Sequence, residues 1–137
     1  MAEIRTAILE KAAELAAKVG YVFIVTSDID GWPHLAAAGT LKLREEGCVT
    51  VSEWFCPGTI SNLKNNRHTS IVVWEENSDT GYQLLGEMER MKDIGILNGY
   101  TPEDKRIAPI PQVESELTIR VRKITDFNRA PHSDAEE

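Results

Sequence analysis

The stretch DGWPHLAAAGTLKL, residues 30–43, places a tight turn directly before a strand whose centre carries almost no side chains. Asp30-Gly31 has the chemistry of a hairpin turn, because glycine adopts a positive φ without steric cost. The centre of the following strand consists of Ala36, Ala37, Ala38 and Gly39. Residues this small within a strand often mark a place where a ligand or another backbone approaches closely. The stretch therefore predicts a hairpin whose second strand offers an open face.

Strands and turns on both sides of this stretch predict an antiparallel barrel. Alternating or β-branched runs bounded by turn residues indicate six short strands, at residues 21–27, 34–43, 48–54, 68–76, 82–91 and 114–127. The last run alternates most cleanly, and its inward residues are expected to be Leu117, Ile119 and Val121. Closure of such a sheet removes its exposed edges. We therefore expect a mainly β protein with a minor helical part.

Two helices and one mixed segment are predicted outside the strands. The first helix covers residues 3–19, and its inward face is expected to consist of Ile4, Ile8, Ala12, Leu15 and Val19. After the third strand, Thr59 is placed to cap a short helix that carries Ile60 and Leu63 inward. Residues 92–113 are expected to form a partly helical segment that ends in a Pro-rich loop.

Composition predicts one folded domain over residues 1–127, followed by a polar tail at 128–137. The net charge of −7 opposes binding to a phosphate backbone, so we expect no nucleic-acid partner.

No apolar run approaches the roughly 18 to 20 residues of a membrane span, and the first residues do not show the apolar core of a signal peptide. We therefore expect a cytoplasmic protein without a membrane partner.

The two cysteines, Cys48 and Cys56, indicate neither a disulfide framework nor a metal site. Both are expected to be free thiols, most simply small buried hydrophobes in or beside a strand. The local sequence supplies Cys56 with no base and no surrounding positive charge, so covalent catalysis is not predicted and no catalytic residue is assigned. His34, which follows Pro33, is expected to order the turn, with a titratable role as the alternative.

Several motifs resemble the FMN-binding split-barrel family, which includes relatives of pyridoxamine-phosphate oxidase and small bacterial FMN-binding proteins. The resemblance extends over residues 21 to about 91 and rests on DGWPHL at the second strand, CVTVSEW at the third, CPGTISNLKNNRHTSIVVW through the short helix and fourth strand, and TGYQLLGEME at the fifth. It implies a six-stranded antiparallel split β-barrel with an N-terminal helix and a short helix after the third strand.

The resemblance also implies that FMN lies across the barrel at a homodimer interface. The residues at positions that contact the cofactor in this family fall into three groups: Thr59 and Ser61 at the phosphate; Ser52, Glu53 and Trp54 at the ribityl chain or ring; and Ala37, Ala38 and Gly39 against the flat isoalloxazine. A hydroxyl beside exposed amides at a helix start is a ready anion site, although it is also an ordinary cap. Gln83 is expected to face either the flavin or solvent.

The sequence departs from the family at the phosphate position. Many members carry a lysine or arginine immediately before the position of Thr59, and here that residue is Gly58. Basic residues that could replace the missing cation are Lys42, Arg44, Lys64, Arg67 and Arg120, or a residue of the partner subunit. The C-terminal basic segment that pyridoxamine-phosphate oxidases use on their substrate is not recognisable, so that particular activity is not implied.

The resemblance therefore implies an FMN-binding flavoprotein, either an FMN-dependent oxidoreductase or an electron-transfer protein, that acts on a small molecule or a redox partner. The first alternative is a split barrel without flavin that serves as a binding or structural module, which Gly58 favours. The second alternative is another phosphorylated ligand in the same groove, such as a deazaflavin or pyridoxal phosphate.

Overall fold

The structure, a computed structural model, describes residues 6–45, 47–54, 56–96, 113–131 and 136. In chain order the elements are α1 (Thr6–Val19), β1 (Val22–Ser27), β2 (Pro33–Ala38), β3 (Thr40–Leu43), β4 (Cys48–Trp54), α2 (Pro57–Asn65), β5 (His68–Glu75), β6 (Thr80–Ile96) and β7 (Val113–Asp126). The strands form one antiparallel seven-stranded sheet in the order β2-β1-β5-β6-β7-β4-β3. The prediction of a mainly β protein with two helices is confirmed.

The two ends of this sheet, β2 and β3, are consecutive in the chain and meet at Gly39. Ala38 pairs with β1 whereas Thr40 pairs with β4, so the predicted strand at residues 34–43 changes partner at its centre. The predicted count of six strands is therefore wrong, because this single run forms two strands. The sheet curls on itself as a result, with the chain itself joining its two edges.

Gly39 is required at this corner because the Glu53 side chain lies directly against it. The Gly39 N–H donates a 3.1 Å hydrogen bond to the Glu53 carbonyl. A Cβ at Gly39 would lie 2.3 Å from Glu53 Oε2 and 3.0 Å from Glu53 Cβ, closer than real Cβ atoms approach. The absent side chain thus allows β2 to cross closely over the end of β4.

Helix α1 packs on the sheet through a face centred on Leu9, Ala12 and Ala16, which are all buried. The predicted face is confirmed at Ala12, but Ile8, Leu15 and Val19 pack against the core from its flanks and are only partly buried. The small side chains of the two alanines allow the helix axis to approach the strands closely. Ile4, the remaining predicted member, lies outside the described residues.

The core lies between α1 and the inner face of the sheet. Leu117, Ile119 and Val121 are buried, as the alternation of β7 predicts. Trp54 and Leu63 are among the largest side chains that are fully enclosed. Neither helix of the described residues is long and apolar enough to cross a membrane.

Strand β6 continues five residues past its predicted end, because residues 92–96 pair with the start of β7. The prediction of a partly helical segment is therefore wrong for residues 92–96, and residue 113 belongs to β7. The rest of that segment, 97–112, lies outside the described residues. The predicted polar tail begins on the β5–β6 turn, where the Asp79 carboxylate accepts hydrogen bonds from the Arg129 and Ala130 amides.

Candidate functional site

Helix α2 begins at Pro57, and the residue that caps it is Cys56, in an extended conformation. The prediction that Thr59 caps this helix is therefore wrong, since Thr59 lies within the first turn. Proline is favoured at the first helical position, because its fixed φ suits the helix and its missing N–H would have no partner there. Within the part of the chain that the structure describes, no side-chain capping hydrogen bond is made at the start of α2, which leaves amides of this turn available to a ligand.

Thr59 is fully buried in this first turn, and its hydroxyl oxygen has no hydrogen-bond partner among the described residues. Buried hydroxyl groups are nearly always satisfied, because an unpaired one loses its hydration without compensation. This hydroxyl lies near enough to the Cys56 sulfur to lower the pKa of that thiol, but it makes no full hydrogen bond with the described residues, so its hydrogen-bonding capacity remains open to a ligand.

His34 and Cys56 come together at the start of α2, with 3.2 Å between the ring Nε2 and the sulfur. The same imidazole covers Gly58, where a Cβ would lie 3.3 Å from its Cε1 and Nε2 atoms. Both His34 and Cys56 are half-buried, so solvent still reaches the pair. The prediction that Cys56 lacks a nearby base is therefore wrong, and His34 is more than a turn residue.

The position of α2 is fixed by polar contacts to β1. The buried Asn62 amide donates a 3.0 Å hydrogen bond to Thr26 Oγ1. Asn66, which caps the other end of the helix, donates to Ser27 Oγ at 3.3 Å. Thr26 pairs with His34 in the hairpin. The hairpin register and the docking of α2 together bring His34 to the first turn of the helix.

The environment of Cys56 favours the thiolate. Burial raises the pKa of this thiol, but the Thr59 hydroxyl, the His34 ring and the Thr59 backbone amide oppose burial and lower the pKa to about 7. Strands β1 and β2 pack against α2, and His34 is their one titratable side chain. The other charged groups near this region are Glu53, which precedes the helix, and Lys64 in its last turn.

Cys48 has the opposite environment at the start of β4. It is 3% exposed, and its Sγ lies 3.8 Å from Glu89 Oε2. Burial raises the pKa of Cys48, and the negative charge of Glu89 raises it further. Its expected state as a buried small residue in a strand is therefore confirmed for Cys48. Among the described residues, no cluster of three or more His, Cys, Asp or Glu side chains could hold a metal ion.

The residues predicted to contact FMN divide by exposure. Ala37, Glu53 and Ser61 are exposed, and Gly39 and Ser52 are half-buried. The enclosed members are Ala38, Trp54 and Thr59. The indole of Trp54 points into the core and donates to the Val51 carbonyl at 3.1 Å, so this ring does not border an open surface.

The structure brings Gly39, Ser52 and Glu53 together where β2 passes into β3. Ser52 pairs with Thr40, and the Glu53 carbonyl accepts a hydrogen bond from the Gly39 amide. The Glu53 side chain takes the space that the missing Cβ of Gly39 leaves, and its backbone has a positive φ of 61°. Ser61 lies separately, on the exposed side of α2.

Most of the basic residues considered as substitutes for a cation at Gly58 have other partners. Arg120 pairs with Glu89, Arg44 approaches Glu116 at 3.7 Å, and Arg67 donates to the carbonyls of residues 88 and 89. Lys64 lies at the opposite end of α2, and Lys42 is exposed on β3. His34 is the basic side chain that the structure places over Gly58.

A separate groove of about 430 Å³ lies on the outer face of β1, β5, β6 and β7. Its lining consists of Val25, Thr26, Ser27, Pro33, Asn66, His68, Thr69, Ser70, Leu85, Gly86, Glu87 and Arg122. This volume is within the range of small-molecule pockets. Gln83, left open between flavin and solvent, donates a 2.8 Å hydrogen bond to Ser70 Oγ.

Large apolar side chains are exposed along the β1–β2 hairpin. Trp32 is 72% exposed and Leu35 is 58% exposed, and Ile29 in the turn is also open to solvent. Strand β2 is an end strand of the sheet, with β1 as its one paired neighbour. Exposed apolar groups on an end strand favour contact with another surface.

The chain has the split-barrel fold of FMN-binding proteins related to pyridoxamine 5'-phosphate oxidase. The structure of an FMN-binding protein from Syntrophomonas wolfei matches it with a TM-score of 0.64 and 18% identity, over 88% of this chain and 86% of that chain. A pyridoxamine 5'-phosphate oxidase-related, FMN-binding protein from Nostoc punctiforme also has a TM-score of 0.64, at 9% identity, over 96% of this chain and 89% of that chain.

A third solved structure of similar fold is HupZ of group A Streptococcus, with a TM-score of 0.63 and 17% identity, over 92% of this chain and 97% of that chain. In sequence, the chain is 27% identical over 112 residues to the uncharacterized protein MJ0282 of Methanocaldococcus jannaschii, which covers 80% of this chain and 74% of that protein. No protein-family model matches the chain.

Proposed function

We propose that this protein binds FMN in a site shared by two copies of the chain and acts as an oxidoreductase or electron-transfer protein. The observation that carries the proposal is the fold, which the chain shares over most of its length with solved FMN-binding proteins. FMN would supply the hydride or electron transfer, while the protein binds the cofactor and orients it.

The first turn of α2 fits a phosphate group. Its amides receive no side-chain cap, and the helix dipole places partial positive charge at this end. The unpartnered Thr59 hydroxyl lies in the same turn. We propose that the phosphate accepts from these groups, with Ser61 at the rim.

His34 would supply the charge that Gly58 lacks. The imidazole lies over Gly58, where a Cβ would be in tight contact with it at 3.3 Å, so the glycine leaves room for the ring. A protonated ring at this place can donate a charge-assisted hydrogen bond to a phosphate oxygen. The family's cation is therefore replaced by a histidine from β2, a strand that packs against the helix.

The flat ring would lie along β2, where Ala37 is exposed and presents little side chain. Ala38 and Trp54 are enclosed, so in this proposal they support the strand without touching the cofactor. Glu53 would have to rotate for the ring to reach Gly39, because its carboxylate now covers that residue. A second copy placed over Trp32 and Leu35 would cover the ring and bury these exposed side chains.

FMN titration of wild-type protein and Thr59→Val tests the proposal. Replacing an unpartnered buried hydroxyl by a methyl group is expected to leave the melting temperature unchanged or raised. Loss of one phosphate contact is expected to weaken FMN binding by about tenfold. Ser70→Val, in the outer groove, is the matched control, and a larger loss in this variant than in Thr59→Val would contradict the location at α2.

A visible spectrum of the purified protein is the simplest companion measurement. Flavin absorption bands, and FMN in the material released on denaturation, would support the proposal. If mass spectrometry identifies a different phosphorylated compound in that material, the protein binds that compound instead of FMN. If saturating FMN changes neither tryptophan fluorescence nor the melting temperature, the better proposal is a split barrel that binds no flavin and serves as a binding or structural module. The absence of a cation at Gly58 favours that alternative.

A further inference from the structure

We propose that Cys56 and His34 form a reactive thiol site that exchanges with low-molecular-weight disulfides. The two side chains come from β2 and the start of α2, and their reacting atoms lie 3.2 Å apart. Both are half-buried, so a small disulfide can reach the sulfur while the protein still restricts its surroundings. The proposal does not depend on FMN, because it uses side chains of this chain alone.

Three features of the site stabilise a negative sulfur. The imidazole can take the thiol proton and remain beside the thiolate as its counter-ion. The sulfur is at the positive end of a nine-residue helix. The Thr59 hydroxyl, which is buried and lacks another partner, lies in the first turn beside it and favours the thiolate. β1 and β2 bring no carboxylate to this place, so the effect that opposes the negative charge is burial of the sulfur.

The exchange step is balanced without any further reactant. The Cys56 thiolate attacks one sulfur of the disulfide RSSR, a Cys56–SR bond forms, and the S–S bond of RSSR breaks. The leaving RS⁻ takes the proton that His34 Nε2 received from Cys56, which gives RSH and a neutral imidazole. Cys56 is thereby oxidised and the disulfide reduced. Attack is most efficient when the pKa of the thiol is near the ambient pH, and that of Cys56 is about 7.

The second cysteine cannot resolve this product within the chain. Cys48 begins β4, a seven-residue strand that spans about 20 Å, and Cys56 lies two residues beyond the other end of this strand. A disulfide requires a separation between Cα atoms below about 7 Å. The mixed disulfide on Cys56 is therefore a stable end product, until an external thiol removes it. Cys48, which is buried beside Glu89, provides an internal comparison.

The test treats the native chain with bis(2-hydroxyethyl) disulfide from about pH 5 to about pH 9.5 and follows adduct formation by peptide mass spectrometry. We expect one adduct on Cys56, removable by dithiothreitol, with the rate rising around a midpoint near pH 7. Cys56→Ser should abolish the adduct and Cys48→Ser should leave it unchanged. Reaction on Cys48 at an equal rate, or a midpoint at the value of about 8.5 typical of an unperturbed thiol, would overturn the proposal.

His34→Gln separates the role of the imidazole from mere accessibility of the sulfur. We expect the midpoint to move up toward about 8.5, and the rate at neutral pH to fall about three- to fivefold, since the greater nucleophilicity of a more basic thiolate offsets part of the loss. An unchanged profile in a folded variant would reject the pairing. If the variant does not fold, the thiolate absorbance of wild-type protein can be compared with that of Cys56→Ser across the same pH range. The difference gives the titration of Cys56 without any change at His34. A midpoint of about 8.5 would reject the pairing.

Repeating the exchange with excess FMN distinguishes this site from the proposed cofactor site. A bound phosphate near the sulfur would raise the pKa of Cys56 and slow the exchange. Slower exchange with FMN would therefore support both sites. Unchanged exchange would leave the thiol site standing and count against phosphate binding at this helix end, whereas an unreactive Cys56 would overturn the thiol site alone.

Discussion

The amide of Asn62 donates a 3.0 Å hydrogen bond to the hydroxyl of Thr26, and both side chains are buried. This contact ties α2 to β1 beneath the candidate site, and it fixes where the first turn of the helix lies relative to His34. A change in this bond should therefore affect both stability and the chemistry of Cys56.

Asn62→Ala is expected to destabilise the fold by about 1–3 kcal/mol, because the truncation leaves Thr26 buried without its donor. Urea unfolding measures this change. Asn65→Ala is the matched control, since Asn65 is exposed and its amide bonds only within α2. In the double variant with Thr26→Val, the cost should be smaller than the sum of the two single changes. Full additivity would mean that the hydrogen bond contributes nothing.

Gly39→Ala is expected to destabilise the protein by about 1–3 kcal/mol, because its Cβ would collide with Glu53. The collision involves Glu53 Cβ as well as the mobile carboxylate, so rotation of the side chain cannot fully relieve it. Combining the change with Glu53→Gly should restore part of the loss, since glycine also suits the positive φ at that position. Thermal unfolding measures both variants.

Ala37→Val is the control for Gly39→Ala, because Ala37 is exposed on the same continuous stretch of chain. Its effect should stay within about 0.5 kcal/mol, as is usual for surface positions. Equal losses at Ala37 and Gly39 would show that the crossing of β2 over β4 does not require a glycine.

Local patterns in the sequence suffice for most of the strands but not for the corner at Gly39. Alternation in β7 predicts its buried residues, because successive side chains of a strand point to opposite faces and only one face is buried. A change of strand partner leaves no such pattern, since it depends on Glu53, which is distant along the chain. The extension of β6 through residues 92–96 likewise depends on pairing with β7, across the intervening segment.

The candidate site illustrates the same limit. Gly58 could be recognised as a departure from the FMN-binding split barrels that the sequence resembles, but the residue that takes the place of their cation could not be chosen from the sequence alone. His34 and Cys56 are 22 residues apart and belong to different elements. Their contact follows from the hairpin register and from the docking of α2, which are both tertiary events. The sequence could assign neither the base beside Cys56 nor the true start of the helix at Pro57.

The hydrogen bonds of Asp79 predict that the stability of the fold falls at acidic pH. Hydrogen bonds from the Arg129 amide, the Trp74 indole and the Ala130 amide together hold the pKa of this carboxyl below its ordinary value of 3.8, although desolvation acts in the opposite direction. A carboxyl whose pKa is lowered on folding stabilises the native state above the unfolded pKa, and this contribution is lost as the pH falls through the folded pKa.

Replacing Asp79 by asparagine tests this dependence, because asparagine fits the positive φ of 49° and keeps one acceptor. The variant should melt at a lower temperature than wild type near neutral pH, and the difference should shrink on acidification below about pH 4. Asp93→Asn removes a charge of the same sign from an exposed position on β6 and serves as the control. A constant difference across the acid range would exclude the ionised carboxylate as the cause.

Gly58→Lys tests whether the site lacks a cation for the phosphate. If His34 only partly replaces that cation, a lysine is expected to strengthen FMN binding by about tenfold or more, because charge-assisted hydrogen bonds contribute about 1.5–3 kcal/mol. The gain should diminish with added salt. Gly58→Ala introduces the same contact with His34 at 3.3 Å without the charge and is the matched control. Equal binding by the lysine and alanine variants would place the phosphate elsewhere.

Leu35→Lys tests the proposed pairing of two copies through the β1–β2 hairpin. Leu35 is 58% exposed on an end strand, so a charge there should cost a single copy little but should disrupt an apolar contact between copies. We expect wild type to sediment as a dimer, and the variant to shift toward monomer and lose FMN affinity together. Tyr21→Lys, at a residue 46% exposed just outside β1, should change neither property. A wild-type monomer at micromolar concentration would remove the second half of the proposed site, and a dimer that withstands Leu35→Lys would place the interface on another face.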